Sequence, residues 1–282
     1  MTTGSTLRIT PLTKAIGAEV GGIDLREPLP DEAFDALQQA LLRHQVLFLR
    51  DQPLSDAQHL DFARRFGPLT IHPTSRAKGT GAHVEFIEDD EQSPPKATRW
   101  HSDLTWLPVP PKIGILSARL LPETGGDTMW SSLTAAYRAL SLPMRERVEG
   151  LIALHDAGEQ FFRGAELAAG KEIADVLRAT VSQTTEHPLV VRHPDTGEKV
   201  LYFSAATITK IVGLHPAESR MWLDFFWSLV DRAEHCVRWR WRVDDLAIWD
   251  ERCTLHVALP DHYPARRVMR RCTVDPEIGP RA

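Results

Sequence analysis

Long apolar runs and blocks of like charge are missing from this chain of 282 residues, whose formal net charge is −5. No apolar run approaches the roughly 20 residues that a membrane helix needs, so we expect no membrane association. Without a basic block, nucleic acid and anionic membranes are poor candidate partners. The first residues also lack a basic stretch followed by an apolar one, and we therefore expect no signal peptide.

Cysteine is scarce as well. The chain has three cysteines, none of them in a C-x-x-C pair: Cys236, Cys253 and Cys272. An odd number with this spacing argues against a disulfide framework and predicts reduced thiols in a cytoplasmic protein. We expect these residues to fill small spaces in the core.

Nucleotide-binding and repeat signatures are also absent, because the chain has no G-x-G-x-x-G, no P-loop, no internal repeat and no low-complexity linker.

Helix and strand patterns mix in the first half, and strand patterns dominate the second. This order predicts one domain over residues 1–282, with antiparallel β structure decorated by helices. Residues 1–6 are expected to be disordered. The polar, alanine-rich stretch 156–183 is long enough to be an insertion or a lid.

Hydrophobic periodicity predicts the regular elements. Helical periodicity occurs at Asp31–Arg43 and Pro216–Ala233. The second helix is expected to bury Trp222, Phe225, Phe226 and Leu229. The clearest strand pattern is Val237–Val243, and further strands are predicted at Ile113–Leu120 and Arg267–Val274. One face of the strand at 237–243 is expected to carry Val237, Trp239, Trp241 and Val243.

The segment 70–95 shows neither periodicity and is predicted to be irregular. Its acidic run, Glu88–Glu91, is expected to be a solvated loop. His72 lies in the same segment, and loops on a rigid scaffold often carry function.

The stretch Trp100–Trp106 (WHSDLTW) carries two potential metal ligands, His101 and Asp103. Its composition favours extended structure, and we predict a strand. Side chains at i and i+2 of a strand point to the same face, so the imidazole and the carboxylate could converge on one ion. Alone, the H-x-D pattern also fits a buried histidine beside a surface aspartate, and a third ligand is needed to decide.

His256, in the segment AIWDERCTLHVAL, supplies that third potential ligand. Two histidines and one carboxylate form the facial set that leaves open positions on Fe(II), which oxygen activation requires. Zinc is the competing metal, because a three-ligand nitrogen and oxygen site with a water molecule also serves hydrolysis.

Two arginines add binding groups for anions, and a glycine pair predicts a turn. Arg267 and Arg271 lie four residues apart on the predicted last strand and therefore on one face. Guanidinium groups bind carboxylates or sulfonates through paired hydrogen bonds, so two of them near a metal predict an oxo-acid co-substrate and an anionic substrate. Upstream, Gly125-Gly126 predicts a tight turn with positive φ before a strand that starts at Thr128. Without the other motifs, surface positions for both arginines would be an equally good interpretation.

Four motifs occur in order along the chain: WHSDLTW…PP, LPETGGDTMW, IWD…H and HYPARRVMRR. Together they resemble the Fe(II)/2-oxoglutarate dioxygenases of the taurine dioxygenase group (TauD/TfdA-like), over residues 17–274. The resemblance implies an α+β, mainly β fold, a double-stranded β-helix (jelly roll) decorated by helices. It also implies that Fe(II), 2-oxoglutarate and O₂ are used to hydroxylate a small anionic substrate, with succinate and CO₂ as co-products. That substrate would be a sulfonate such as taurine, a sulfate ester or a carboxylate, and C–S or C–O fragmentation could follow.

The resemblance assigns roles residue by residue. Those implied to bind iron are His101, Asp103 and His256. Those implied to hold the distal carboxylate of 2-oxoglutarate are Thr128 and Arg267. Those implied to line the substrate pocket are His72, Phe161, Thr207 and Arg271, with Arg271 at the anionic head group. Relatives are commonly dimers or tetramers, so the same analogy predicts a homo-oligomer.

The chain departs from the pattern expected of members that use taurine. Ser75 stands where a tyrosine is expected, Lys96-Ala97 replaces an acidic and amide pair, and Thr207 replaces a phenylalanine. Glu251 replaces an asparagine, and the sequence offers no physical account of that change.

Other functions remain open at this point. Thr207 and Ala97 would leave room for the bulkier body of an aryloxy carboxylate, which an ether-cleaving dioxygenase would attack. A jelly-roll binding protein without turnover and a zinc hydrolase are alternatives from other classes. Neither of these would need Arg267 and Thr128 for a co-substrate.

Overall fold

The computed structural model describes residues 7–181 and 183–282. The predicted disorder of residues 1–6 lies outside the described residues. The described strands are β1 (Arg8–Pro11), β2 (Ala18–Gly21), β3 (Val46–Leu49), β4 (Glu85–Asp89), β5 (Ile113–Leu120), β6 (Thr128–Ser132), β7 (Ile152–Asp156), β8 (Thr184–Pro188), β9 (Val190–Arg192), β10 (Lys199–Leu201), β11 (Ile208–Ile211), β12 (Cys236–Trp239), β13 (Leu246–Asp250), β14 (Thr254–Ala258) and β15 (Arg267–Val274). The described α-helices are α1 (Asp31–His44), α2 (Asp56–Arg64), α3 (Pro73–Ala77), α4 (Leu133–Arg138), α5 (Leu142–Val148), α6 (Gly158–Ala169), α7 (Lys171–Thr180) and α8 (Pro216–Val230).

Two mainly antiparallel sheets face each other as a jelly roll. The large sheet has seven strands in the order β1-β2-β3-β13-β5-β15-β4, and the small sheet has three in the order β12-β6-β14. Alternating side chains from both sheets fill the space between them. The tryptophans buried there are Trp130, Trp239, Trp241 and Trp249. This layer fixes the spacing of the sheets, and the candidate site lies at its β14 and β15 side.

Helices cover the outer faces of both sheets. α1 and α2 bury Phe34, Leu37 and Phe62 against the large sheet. α4 and α8 pack against the small sheet, where Phe226 and Leu255 belong to one buried cluster. Among the described helices, none is both long enough and apolar enough to cross a membrane.

Several predicted elements are confirmed. The strands at 113–120 and 267–274 have the predicted bounds, and a strand begins at Thr128 as expected. Gly125 and Gly126 both have positive φ, at 80° and 72°. The three cysteines are buried free thiols, which agrees with their predicted role in the core.

Other predictions are wrong at particular residues. Phe225 is 38% exposed because it lies on the outer side of α8, whereas Phe226 next to it is buried. The predicted strand at 237–243 ends at Trp239, and Val243 is 50% exposed in the turn before β13. The segment 70–95 contains α3 and β4, so it is not irregular throughout. Its acidic run is not a solvated loop either, since Asp89 is buried at the end of β4.

The stretch 156–183 forms mainly the helices α6 and α7. Phe162 on α6 and Leu177 on α7 share a buried cluster with Leu104 and Trp106, which follow Asp103 in the chain. The helical pair therefore packs against the turn after the candidate metal ligands. Its predicted action as a lid stays a prediction.

Candidate active site

His101 and His256 lie opposite each other on adjoining backbone segments. The main-chain N–H of His101 donates to the His256 carbonyl at 3.0 Å, and the reverse bond measures 2.7 Å. The two ring centroids are consequently 4.1 Å apart. Trp249 on β13 packs against the His256 ring, with centroids 4.9 Å apart. The Trp249 indole lies against Gly114 of β5. A Cβ atom at position 114 would come within 2.2 Å of the indole, so only glycine leaves room for the Trp249 ring.

Asp103 reaches the histidines by a turn and not by a strand. Leu104 has a φ of 54°, and the Leu107 N–H donates to the Leu104 carbonyl at 2.8 Å. The strand predicted for this stretch is therefore wrong, but the predicted convergence occurs. Asp103 Oδ1 lies 3.7 Å from His101 Nε2 and 4.0 Å from His256 Nε2. The potential ligand atoms of the three residues all lie within 4.8 Å of one another.

The protonation states of this cluster suit a divalent metal. Burial lowers the pKa of His101 and of His256, so both rings are neutral. Nδ1 of His101 donates to the Arg99 carbonyl at 2.7 Å, which leaves the Nε2 lone pair facing Asp103. Burial acts to raise the pKa of Asp103, but the neighbouring charge of Arg271 outweighs it and lowers that pKa. Two imidazole nitrogens and one carboxylate are therefore ready to coordinate.

Glu251, which the sequence left unexplained, anchors the turn that carries Asp103. Its carboxylate accepts hydrogen bonds from Asp103 N at 3.0 Å, Ser102 Oγ at 2.9 Å and Trp249 Nε1 at 2.7 Å. Burial and the charge of Asp103 raise the pKa of Glu251, whereas these three donors stabilise its ionised form. One buried carboxylate thus connects a metal-ligand turn to the indole that supports His256.

Arg267 and Thr128, which were predicted to bind a carboxylate, lie next to each other. Arg267 is 2% exposed, its Nε donates to the Gly126 carbonyl at 3.0 Å, and its Nη2 lies 3.4 Å from Thr128 Oγ1. A Cβ atom at Gly126 would lie 3.0 Å from the Arg267 side chain, so the glycine permits this approach. Trp241 Nε1 donates to Thr128 Oγ1 at 2.9 Å, which leaves the hydroxyl proton available for a ligand. Asp89 lies 3.6 Å from Arg267 Nη1 and balances its charge.

Arg271 faces the metal-ligand cluster from the same side of β15 as Arg267, as predicted. Its Nη1 donates to Asp103 Oδ2 at 2.6 Å. Its Nε and Nη2 both donate to Glu85 Oε2, at 3.1 and 2.9 Å. The other oxygen of Glu85 lies 3.3 Å from His72 Nδ1. Sequence reasoning missed Glu85, because its segment was predicted to be irregular and gave no signal for an inward-facing acid.

The two remaining predicted pocket residues occupy different surroundings. The Phe161 ring lies 6.3 Å from the His72 ring and 4.9 Å from the Trp106 ring, so it belongs to an aromatic group beside His72. Thr207 Oγ1 is 2.6 Å from Thr105 Oγ1, within the turn that follows Asp103. Its hydroxyl is therefore already engaged by protein groups.

A second group of potential ligands is satisfied without a metal. His193, Asp250 and Cys253 are all buried and close together. The Asp250 carboxylate, however, accepts bonds from Arg252 at 2.8 and 2.6 Å and lies 3.0 Å from His193 Nε2. Burial raises the pKa of Cys253 well above its ordinary value, so it is a thiol. We interpret this group as a structural ion pair beneath Glu251.

Fold and site together define a jelly-roll protein with a two-histidine, one-carboxylate centre flanked by two inward arginines. The chain belongs to the taurine catabolism dioxygenase TauD, TfdA family, because the model of that family matches residues 8–273. The expected resemblance is thus confirmed.

Curated relatives of this chain are similar over nearly its whole length. An alkylsulfatase of Acinetobacter baylyi is 37% identical over 278 residues, which are 96% of this chain and 86% of that protein. An alpha-ketoglutarate-dependent sulfate ester dioxygenase of Pseudomonas putida is 34% identical, over 96% of this chain and 90% of that protein. An (S)-phenoxypropionate/alpha-ketoglutarate-dioxygenase of Sphingobium herbicidovorans is 34% identical, over 93% of this chain and 92% of that protein.

Solved structures of similar proteins superpose on this chain over nearly its whole length. A taurine dioxygenase from Burkholderia xenovorans superposes with a TM-score of 0.81 at 34% identity, covering 97% of this chain and 92% of that chain. AAD-2 in complex with Mn(II) and N-oxalylglycine gives a TM-score of 0.80 at 27% identity, covering 98% of this chain and 100% of that one.

Proposed function

We propose that this chain is an Fe(II)- and 2-oxoglutarate-dependent dioxygenase that hydroxylates a small anionic substrate. The observation that carries the proposal is the convergence of His101, Asp103 and His256 beside two inward arginines. The family and its relatives named as alpha-ketoglutarate-dependent dioxygenases support the same reaction.

The cluster fits Fe(II) by its donor set. Two neutral imidazoles and one carboxylate on one side of an ion leave the remaining positions for co-substrates. The His101 bond to the Arg99 carbonyl fixes the tautomer that coordination through Nε2 needs. AAD-2, a structural neighbour, was solved with Mn(II). When bound, Fe(II) supplies the oxidising chemistry with O₂ and 2-oxoglutarate, which yields succinate, CO₂ and a hydroxylated substrate.

Arg267 and Thr128 would hold the distal carboxylate of 2-oxoglutarate. The guanidinium offers paired N–H donors, and the Thr128 hydroxyl can donate because its oxygen already accepts from Trp241. The pair is buried, so hydrogen bonds to a carboxylate would form in a water-poor setting where they are strong. This arrangement would orient the keto end toward the three ligands.

Arg271, His72, Phe161 and Thr207 would form the substrate pocket. Arg271 would supply the charge for an anionic head group, and the His72 and Phe161 rings, 6.3 Å apart, would face the body of the substrate. The relatives named for alkyl sulfate and sulfate ester substrates favour a sulfate ester among the candidate anions. A second candidate is an aryloxy carboxylate, favoured by the relative named for (S)-phenoxypropionate.

Two single substitutions separate this function from its alternatives. Arg267→Ala should raise the dissociation constant of 2-oxoglutarate about 30-fold or more, because truncating one side of a buried charged hydrogen bond costs ~2–5 kcal/mol. Arg271→Ala should weaken substrate binding and leave 2-oxoglutarate affinity nearly unchanged. Both constants can be measured calorimetrically without oxygen, with thermal unfolding as a folding control.

The reverse pattern would show that the two arginines were assigned the wrong way round. A protein whose turnover ignored both 2-oxoglutarate and Arg267 would instead be the zinc hydrolase. Binding of both ligands without any product would identify the non-catalytic binding protein. The cytoplasmic location and the dimer or tetramer expected from the sequence stay predictions.

A further inference from the structure

Glu85 places a carboxylate inside the proposed anion pocket. It is the first residue of β4, the edge strand of the large sheet, and pairs directly with Arg271 across the β4–β15 register. Its side chain is 20% exposed and that of Arg271 is 14% exposed. Glu88 on the same strand behaves differently, because it bonds the exposed Arg266 on the outer surface. Of the two glutamates, therefore, Glu85 places its charge beside Arg271 and Glu88 does not.

The hydrogen bonds of Glu85 occupy N–H groups of Arg271 that a substrate anion would use, and its other oxygen lies close to His72 without a hydrogen bond, because His72 Nδ1 accepts from the Thr74 N–H. Arg271 gives two of its five N–H groups to Glu85 and a third to Asp103, which leaves two for a ligand. The second Glu85 oxygen lies 3.3 Å from His72 Nδ1. An anion that bound to both Arg271 and His72 would thus lie next to the Glu85 carboxylate.

Negative charge already exceeds positive charge among the side chains of the pocket before any anion enters. Burial lowers the pKa of His72, so this ring is neutral and adds no positive charge. The single charge of Arg271 faces the charges of Glu85 and Asp103. Like charges next to each other disfavour binding and act as a filter against the wrong ligand.

We propose that Glu85 is a specificity-determining residue that restricts the Arg271 pocket to singly charged head groups. It weakens the binding of every anion, and it excludes doubly charged ones such as phosphate monoesters. Sulfate monoesters, sulfonates and carboxylates carry one charge and are admitted. This inference rests on the proposed function, since it assumes that Arg271 and His72 receive the substrate anion.

The repulsion has a predictable dependence on charge. Coulomb energy is proportional to the product of the charges, so a dianion is penalised about twice as much in free energy as a monoanion at the same place. If Glu85→Gln tightens binding of a monoanion about tenfold, it should tighten binding of a dianion about a hundredfold. Selectivity for the monoanion should therefore fall about tenfold in the variant.

The test compares hexyl sulfate with hexyl phosphate at pH 8, where the first carries one charge and the second mainly two. Dissociation constants are measured calorimetrically on the protein loaded with Fe(II) and 2-oxoglutarate under argon. Glu85→Gln and Glu85→Ala both remove the charge, so the result does not depend on one replacement. Glu85→Asp keeps the charge, and Glu88→Gln changes the net charge equally on the outer face.

We expect tighter binding of both ligands, and a larger gain for the phosphate, only in the two neutral Glu85 variants. Unchanged or weaker binding in these variants would overturn the proposal and show that Glu85 merely holds Arg271 in place. Absence of binding by either ligand to any variant would overturn it as well. Binding without succinate formation in air, from hexyl sulfate and from every other candidate anion, would refute the proposed function and leave the role of Glu85 standing.

Discussion

Replacing Glu251 with alanine should destabilise the fold and loosen the metal centre together. The Glu251 carboxylate accepts from Asp103 N, Trp249 Nε1 and Ser102 Oγ, and all of these groups are buried. Ser102 keeps a second acceptor, the Glu251 main-chain carbonyl at 2.8 Å. The other two donors would be left unsatisfied, at a cost of ~1–3 kcal/mol each. Removing a carboxylate that repels Asp103 offsets part of this cost, so we expect a net loss of about 2–4 kcal/mol.

The assay measures two quantities on the same variants, the free energy of unfolding in urea and the dissociation constant of Fe(II). Loss of the groups that orient metal ligands typically weakens metal binding about 10–100-fold. Glu251→Gln should fall between wild type and alanine, because one end of the amide must donate where the carboxylate accepts. Glu159→Ala is the matched control, since this glutamate is exposed and pairs with Arg178 on the surface. It should change stability by less than about 1 kcal/mol.

A Glu251→Ala protein with wild-type unfolding free energy and wild-type Fe(II) affinity would refute the reasoning. A loss of stability with unchanged metal affinity would refute half of it, because the turn would then hold Asp103 without help from Glu251.

Two further predictions concern packing and pH. Gly114→Ala should destabilise the protein by ~1–3 kcal/mol, because its Cβ would collide with Trp249, and urea unfolding would measure this. Gly164→Ala, in α6 with nothing within 4 Å of its added Cβ, should be neutral or stabilising, and equal effects of the two changes would contradict the account. Burial lowers the pKa of His59 from 6.5 to about 3, so between these values the unfolded chain binds more protons and stability falls with falling pH. His59→Leu should therefore lose ~2 kcal/mol less than wild type between pH 7 and pH 5, and an unchanged pH dependence of unfolding would contradict this.

The sequence pattern predicted secondary structure correctly where the residues of a segment determine its own backbone geometry. The last strand and the Gly125-Gly126 turn were predicted because alternation and glycine are local signals. The metal-ligand convergence was predicted correctly for a wrong local reason. His101 and Asp103 meet through a turn at Leu104, whose positive φ is imposed by packing and not by any residue preference.

β4 could not be recognised because its pattern is reversed. Glu85 and Asp89 point inward, whereas Phe86 points outward and is 61% exposed. Arg271 and Arg267, which lie opposite these inward acids on β15, supply the positive charges that stabilise them. The alternation of β4 can be interpreted only when its pairing with β15 is known. Neither segment carries a local signal that predicts this pairing, because the two strands are far apart in the sequence.

The role of Glu251 could not be predicted either, because its partners are distant in the sequence. Its three partners come from the turn at 102–103 and from β13, and only the fold brings them around one carboxylate. The resemblance led us to expect asparagine at this position, but the physical role of the glutamate is explained only by its burial and its hydrogen bonds.

The most direct test of the central claim is succinate formation from 2-oxoglutarate by Fe(II)-reconstituted protein in the presence of O₂. The panel contains taurine, alkyl sulfonates, alkyl sulfates and aryloxy acids, with a no-substrate sample and the His256→Ala variant as controls. The account predicts succinate that depends on iron, is stimulated by at least one anion of the panel and is lost in the variant. Absence of succinate from protein with iron demonstrably bound, with every anion and without any, would contradict it.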